Sequence, residues 1–222
     1  MVAIFNEGPI WTLDLGDDEN RFSPDWLQAV GSALDQLEAS TDPAALVTIG
    51  QGKFYSNGLD LEWLGQHFDE YESYVDQVQG LFARMLTLPV PTVAAVNGHA
   101  FGAGSMLAMA HDYRVMRQDR GYFCFPEVDI NIPFTSGMTA LVTCKLTPRT
   151  AIDAMTTGRR YSGEDAAAAG LVDATVQLDE LSEAAAAFVR ELAGKDRGTL
   201  GTIKSRLFAD VVSALRSASD QG

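Results

Sequence analysis

Apolar residues recur every three to four positions in two early segments, and this spacing places them on one face of a helix. The first helix is predicted to begin at Ser23-Pro24-Asp25 and to end near Leu37. A serine hydroxyl can cap the first turn, and proline fits the first helical position. The second helix is predicted over residues 71–86, because Pro89 cannot continue a helix.

Shorter apolar runs predict strands between and after these helices. They cover residues 2–6, 10–15, 45–49, 92–96, 113–116 and 171–176, and residues 122–132 are predicted to be a strand or an extended segment. Further helices are predicted over about 136–146, 148–158, 162–170, 178–192 and 199–215. A β–α–β–α–β order implies a mostly parallel sheet with right-handed crossovers. The chain is therefore predicted to be α/β with a helical C-terminal region.

Two stretches are candidates for function. Residues 50–60 are predicted to be a long polar loop, and loops of that length in compact domains are usually functional. After the strand at 92–96, a Gly/Ala-rich turn leads into a helix over about 103–111. Gly102 and Gly104 have no side chains that would shield the backbone from a ligand. They lie at the N-terminus of the predicted helix, where the N–H groups have no partner within the helix. The turn could hold a developing negative charge, or it could simply be a close-packed corner.

Charge and composition narrow the function classes. The net charge of −14 argues against nucleic acid or an acidic membrane surface as a partner. No apolar run approaches the ~20 residues that span a bilayer, and the N-terminus lacks the basic segment of a secretory signal, so a cytoplasmic location is expected. Cys124 and Cys144 are expected to be free thiols. The three histidines lack the spacing of metal ligands, and no metal is expected.

Four separated segments together resemble one family. They are Gly52-Lys-Phe-Tyr-Ser-Asn-Gly58-Leu-Asp-Leu61, Pro91-Thr-Val-Ala-Ala-Val-Asn-Gly98-His-Ala-Phe-Gly-Ala-Gly104, Phe125-Pro-Glu-Val-Asp-Ile130, and Thr157 to Val172. In order and spacing they are similar to the signatures of the crotonase (enoyl-CoA hydratase/isomerase) superfamily. Within it, the strings Ser-Asn-Gly-Leu-Asp-Leu, Asn-Gly-His-Ala and Glu-Val-Asp-Ile look most like the short Δ3,Δ2-enoyl-CoA isomerases.

The resemblance implies a crotonase-like spiral of ββα units. It implies a core over residues 1–146 that holds a CoA-thioester site, and a helical oligomerisation region over residues 147–222. It further implies a homotrimer or hexamer, and no cofactor other than the coenzyme A that forms part of the substrate.

The resemblance also implies site residues. The thioester oxygen would lie between the backbone N–H groups of Leu59 and Ala103. Lys53 would lie near the nucleotide, and the backbone of Ser56 and Asn57 near the adenine.

By the resemblance, Glu127 matches the one catalytic carboxylate that isomerisation needs. Hydratases of the family share a second glutamate, and Met106 occupies that position here. Addition of water needs side chains that orient the water, remove its proton and then deliver a proton to the substrate. The thioether of methionine cannot take either role. Met106, Phe125 and Pro126 are predicted to surround Glu127 as an acyl pocket, which would raise the pKa of its carboxyl by desolvation.

Alternatives remain open at this point. Asp60 and Glu62 could supply a missing acid for hydration or for another reaction of the superfamily. Asp129 would share a face with Glu127 in an extended strand, although a solvated or arginine-paired acid is the favoured interpretation. A non-catalytic acyl-CoA-binding protein is a further alternative. A dinucleotide site is weakly supported, because the glycines do not form G-x-G-x-x-G.

Overall fold

The structure is a computed structural model that describes residues 1–217. Its strands are β1 Ala3–Glu7, β2 Ile10–Asp14, β3 Ala45–Ile49, β4 Phe54–Ser56, β5 Thr92–Val96, β6 His99–Phe101, β7 Tyr113–Arg117, β8 Phe123–Cys124 and β9 Ala174–Val176. Its α-helices are α1 Pro24–Ala39, α2 Leu61–Gln66, α3 Tyr71–Thr87, α4 Ala103–Met109, α5 Glu127–Ile130, α6 Ser136–Lys145, α7 Pro148–Thr157, α8 Gly163–Ala168, α9 Leu181–Arg190, α10 Arg197–Leu207 and α11 Ala209–Arg216.

The larger sheet has six strands in the order β1-β2-β3-β5-β7-β9. β1 and β2 form an antiparallel hairpin, and every other neighbouring pair is parallel. This confirms the predicted α/β class. The parallel strands lie in the interior because helices connect them across the sheet.

Alternate residues of these buried strands face two apolar cores, as the two-residue repeat of a strand requires. On one face Val47, Val93 and Val115 pack with residues of α9. On the other face Leu46, Ala94 and Met116 join a larger core built with residues of α1, α3 and α4. Residues of α6, α7 and α11 belong to that same larger core. Residues before and after position 146 therefore belong to one apolar core. Residues 218–222 of the predicted C-terminal region lie outside the described residues.

Local signals placed the first two long helices correctly. Ser23 Oγ accepts a hydrogen bond from the Trp26 N–H at 3.2 Å, and Pro24 is the first residue of α1. α3 ends at Thr87, ahead of Pro89. Among residues 1–217, none of the helices combines the length and the apolar character that a membrane span requires.

The two stretches that were predicted to be a loop and a turn contain short strands. The polar loop over 50–60 contains β4, and the turn after Gly98 contains β6. Together with β8 they form a second, three-stranded parallel sheet in the order β4-β6-β8. Strands of two or three residues are too short to show a repeat in the sequence, and they exist because they pair with each other.

The prediction for residues 122–132 holds for the first part of the segment and is wrong for the second. Only Phe123–Cys124 is a strand, and Glu127–Ile130 is a short helix that begins after Pro126 and ends at Asn131, whose φ is +56°. Residues two apart on a helix lie on different faces, so Asp129 does not lie beside Glu127 as it would on a strand. The helix predicted over 199–215 is two helices, which meet at Phe208.

Candidate active site

The three-stranded sheet brings three separate segments of the chain to one edge. Its strands are parallel, with Ser56 opposite Ala100 and Phe101 opposite Cys124. The segments that leave the strands therefore emerge side by side, as in other open parallel sheets, whose ligands bind outside the carboxyl ends of the strands. These segments carry Leu59, Ala103 and Glu127.

The first segment is held by the chain that precedes α1. The Asn57 N–H donates to Glu19 O at 2.8 Å, and the Phe22 N–H donates to Gly58 O at 2.8 Å. Ser56 is fully buried, and its hydroxyl donates to Asn20 O at 2.7 Å. Gly58 has φ +78°, a conformation that favours glycine. The path of the backbone into Leu59 is therefore tightly constrained.

The second segment lies directly against the first. A methyl group on Gly58 would come within 3.0 Å of Ala103 N and 2.7 Å of Phe101 O, so there is no room for a side chain between them. Ala103 is the first residue of α4, where N–H groups have no partner within the helix. In residues 1–217 neither the Leu59 N–H nor the Ala103 N–H donates to a protein acceptor. Two free main-chain donors therefore lie close together.

The third segment supplies a buried carboxyl group. Glu127 is 7% exposed, and its Oε2 has no hydrogen-bond partner among the described residues. Burial raises the pKa of this carboxyl to about 7, and a hydrogen bond from its own backbone N–H opposes the shift. Near neutral pH such a group can both accept and return a proton.

These groups line a cavity of about 310 Å³. Its walls are formed by Arg21, Asn57, Leu59, Leu61, Phe101, Gly102, Ala103, Pro126, Glu127, Ile130 and Ile132. Glu127 is the one carboxyl among the described residues that line it. The site is thus largely apolar with a few polar groups, which is typical of a small-molecule site.

Glu127 and Ile132 also line a second, more open cavity of about 520 Å³, with Phe134 and Met155 in its wall. Of the predicted acyl-pocket residues, Pro126 lines the first cavity. Met106 and Phe125 are each 1% exposed and belong to the apolar core. The Phe125 ring packs against Phe134, with 6.2 Å between ring centroids, so it supports the wall of the second cavity from behind.

The predicted CoA-binding residues are close in sequence but differ in exposure. Asn57 lines the first cavity, while Ser56 is fully buried and is not among the residues of its wall. Lys53 is exposed, with its ammonium 5.0 Å from the centre of the Phe54 ring. Desolvation lowers the pKa of His99, and the nearby charges of Lys53, Arg120 and Arg160 lower it further. A local basic patch therefore exists in this acidic protein.

Arg21 was missed by sequence reasoning, because it lies in a polar loop with no motif around it. It lines the cavity, and its Nε donates to Glu19 Oε2 at 2.6 Å. Its guanidinium also lies within 4.0 Å of Asp60 and 3.8 Å of Glu62, the two alternative acids. Asp60 accepts the Trp63 N–H as the cap of α2, so both carboxylates already have structural partners.

Comparison with known proteins agrees with this geometry. The family model described as enoyl-CoA hydratase/isomerase matches residues 10–221. The chain belongs to the enoyl-CoA hydratase/isomerase family. It is 36% identical to enoyl-CoA delta isomerase 3 of Arabidopsis thaliana over 95% of this chain and 93% of that protein. It is 37% identical to the peroxisomal enoyl-CoA delta isomerase 2 of the same plant over 81% of this chain and 79% of that protein.

Solved structures of this family share the whole fold. A probable enoyl-CoA hydratase of Mycobacterium tuberculosis H37Rv superimposes with a TM-score of 0.91 at 26% identity, covering 98% of this chain and 92% of that chain. A family member from Pseudomonas syringae gives a TM-score of 0.91 at 28% identity, covering 98% and 94%. The crotonase fold predicted from the four motifs is confirmed, and the protein is an enzyme of the enoyl-CoA hydratase/isomerase family.

Proposed function

We propose that the protein is a Δ3,Δ2-enoyl-CoA isomerase, which moves the double bond of a 3-enoyl-CoA to the 2-position with Glu127 as its single base. The observation that carries the proposal is the buried, unpaired Oε2 of Glu127, in a cavity that has no other carboxyl among its described lining residues. The similarity to proteins named enoyl-CoA delta isomerase supports the same reaction.

In the proposed reaction the carboxylate of Glu127 removes a proton from C2 of the substrate. The electron pair of that C–H bond moves toward the thioester, and the charge collects on its oxygen as an enolate. Glu127 then returns the proton to C4, and the double bond ends between C2 and C3. One carboxyl group performs both transfers, so no second acid is required.

The enolate oxygen is proposed to lie between the N–H groups of Leu59 and Ala103. Both donors are free within residues 1–217, and the contact between Gly58 and Ala103 N holds them close together. Preorganised donors at a developing oxyanion contribute about 3 kcal/mol each to lowering the barrier, by mutational precedent.

Hydration is disfavoured by the residue on α4 that follows the glycine turn. Met106 is buried in the apolar core and cannot orient or deprotonate a water. Asp60 and Glu62 do not replace the missing acid well, since both lie beside the guanidinium of Arg21.

The nucleotide of the substrate is proposed to bind on the side of Lys53, with its adenine along the backbone of Ser56 and Asn57. The protein as a whole has a net charge of −14 and would repel the phosphates. The patch around Lys53, Arg120 and Arg160 provides a local positive potential that would attract them.

The test is turnover of a 3-enoyl-CoA to its 2-enoyl isomer by wild type and Glu127→Gln, with hydration of a 2-enoyl-CoA measured beside it. We expect isomerisation to fall by a factor of about 10³ or more in the variant, since the base is lost. Asp129→Asn is the matched control, because it removes an exposed carboxyl from the same short helix, and it should retain activity. Full activity in Glu127→Gln, or hydration faster than isomerisation in wild type, would contradict the proposal.

A further inference from the structure

A larger cavity of about 600 Å³ lies at the opposite end of the large sheet from Glu127. Pro91 and Asp112, which precede β5 and β7, line it, whereas the proposed active site lies beyond the carboxyl ends of the short strands. The wall on the α10 side is apolar, with Leu200, Ile203 and Leu207 facing the cavity. Its volume lies within the range of small-molecule sites, roughly 300–1,000 Å³.

Lys145 reaches this cavity without an acidic partner. Its ammonium donates to His111 O at 3.1 Å and lies 4.5 Å from the centre of the Phe208 ring. Across residues 1–217 no carboxylate forms an ion pair with it. Burial is the largest cause of a pKa lowered to about 8, and the nearby charge of Asp112 opposes that shift. Lys145 therefore remains mostly charged at neutral pH, with a carbonyl and an aromatic face as its partners.

The surrounding charges do not cancel. Lys204 pairs with Asp112 at 2.5 Å, and Arg114 pairs with Asp173 at 3.3 Å. Both cations are buried, at 4% and 6% exposure. Among the charged residues that line the cavity, the cations are Lys145, Lys195 and Lys204 and the carboxylates are Asp112 and Asp196, so one positive charge remains. Asp112 already pairs with Lys204, so the half-buried ammonium of Lys145 has no carboxylate within ion-pair distance among residues 1–217.

We propose that this cavity binds a straight-chain carboxylate amphiphile of the fatty-acid class, with its carboxylate beside Lys145 and its alkyl chain along α10. A carboxylate would supply the missing counter-charge, and the chain would cover Leu200, Ile203 and Leu207. Ile203 and Leu207 are 55% and 69% exposed, so covering them would remove apolar surface from water. This site is separate from the thioester site and does not depend on the function proposed for it.

The test is calorimetric titration of the full chain with decanoate at neutral pH, below its micelle concentration. We expect one saturable site. Lys145→Met should weaken binding by about tenfold or more, as expected for the loss of a charge-assisted contact. Leu200→Trp, which fills the cavity, should abolish binding while Lys145 is left in place. Lys195→Met is the matched control at the same cavity, and because Lys195 is exposed it should change affinity by less than about twofold.

Two further measurements locate the ligand and its charge. Decan-1-ol, which has the same chain without the carboxylate, should bind about tenfold more weakly than decanoate. Glu127→Gln should leave decanoate affinity unchanged. The proposal is overturned if wild type shows no saturable binding, if Lys145→Met and Leu200→Trp bind as wild type does, or if Glu127→Gln abolishes binding. Thermal unfolding of each variant should show one cooperative transition, so that a change in affinity is read from folded protein.

Discussion

The carboxyl of Glu127 lies against Gly102, so close that a methyl group on Gly102 would come within 3.2 Å of Oε1. Gly102 has φ +52°, and it is the residue from which the chain enters α4 and presents the Ala103 N–H. The proposed base and one proposed oxyanion donor are therefore positioned through the same turn.

Gly102→Ala should reduce the proposed isomerase activity strongly and lower the free energy of unfolding only modestly. The new methyl group would press on the Glu127 carboxyl, and the positive φ would add strain of about 1–2 kcal/mol. We expect kcat to fall by about tenfold or more, as small displacements of reacting groups do. Gly80→Ala is the control, since nothing lies within 4 Å of its Cβ position on α3. It should leave kcat unchanged and raise the free energy of unfolding by up to about 1 kcal/mol.

Activity should depend on pH through Glu127. The base must be ionised to remove a proton, and its pKa is raised to about 7 by burial. We therefore expect kcat/KM to rise with pH up to about 7 and then to level off. Steady-state rates from pH 5 to 9 would check this. A profile that levels off near pH 4.5, the ordinary value for glutamate, would show that another group is the base.

The same shift predicts that Glu127→Gln makes the protein more stable at neutral and higher pH. A folded-state pKa above the unfolded value means that the folded protein holds its proton more tightly. The stability that this proton contributes is complete below pH 4.5 and is lost as pH rises through about 7. Glutamine cannot ionise, so the variant should gain up to about 3 kcal/mol relative to wild type at pH 8. Urea unfolding at pH 4 and pH 8 would measure the difference.

His111 should act on stability in the opposite direction. Its Nδ1–H donates to Leu107 O at 2.8 Å, and its Nε2 lies 2.9 Å from Thr48 Oγ1, which in turn contacts Tyr55 OH at 2.7 Å. Because Leu107 O can only accept, Nδ1 carries a hydrogen, and in the neutral ring Nε2 then accepts from Thr48 Oγ1. Burial is the largest cause that lowers the pKa of His111, to about 3.

The unfolded chain protonates His111 near pH 6.5 and the folded chain does not. Its contribution to stability is thus complete above pH 6.5 and is lost as pH falls toward 3. His111→Leu should unfold more readily at pH 7, by about 1–3 kcal/mol, because Thr48 and Tyr55 lose a partner. It should also remove the part of the acid sensitivity that His111 causes. An unchanged slope of stability against pH would contradict this assignment.

Lys204→Met should destabilise the fold by about 3 kcal/mol, since it leaves the partly buried carboxylate of Asp112 without its cation. Lys204 also donates to Val90 O at 2.7 Å, and Asp112 accepts the Thr92 N–H at 2.9 Å. Adding Asp112→Asn should restore part of the loss, because the unpaired charge is then removed. Denaturant unfolding of the two single variants and the double variant gives the coupling between them. Additive losses would show that the pair does not interact energetically.

The long helices could be predicted because their signals are local. Ser23 caps the beginning of α1, and Pro89 follows closely after the end of α3, so each signal lies next to the helix that it delimits. Strands β4 and β6 could not, because each is three residues long and is stabilised by partners distant in sequence. The motifs nevertheless placed Leu59, Ala103 and Glu127, and the structure brings these three around one cavity.

The helix at Glu127 shows how a local pattern can mislead. Phe125, Glu127 and Asp129 alternate with other residues as a strand would, yet Pro126 precedes a helical turn that Asn131 ends with a positive φ. Arg21 had no signal at all, since its place in the cavity wall depends on how the loop before α1 packs against Gly58. Placement of this kind is decided by tertiary contacts.

The two free N–H groups at Leu59 and Ala103 belong to the main chain, and this has a consequence for how the protein can change over generations. A codon change at either position, short of proline, replaces a side chain and leaves the N–H in place. The positions of these two N–H groups depend instead on Gly58 and Gly102, whose positive φ angles shape the turns. The carboxyl of Glu127, in contrast, can be lost by a single nucleotide change. A lineage of this protein that lost the proposed base would therefore still keep the two N–H groups proposed to bind the thioester oxygen.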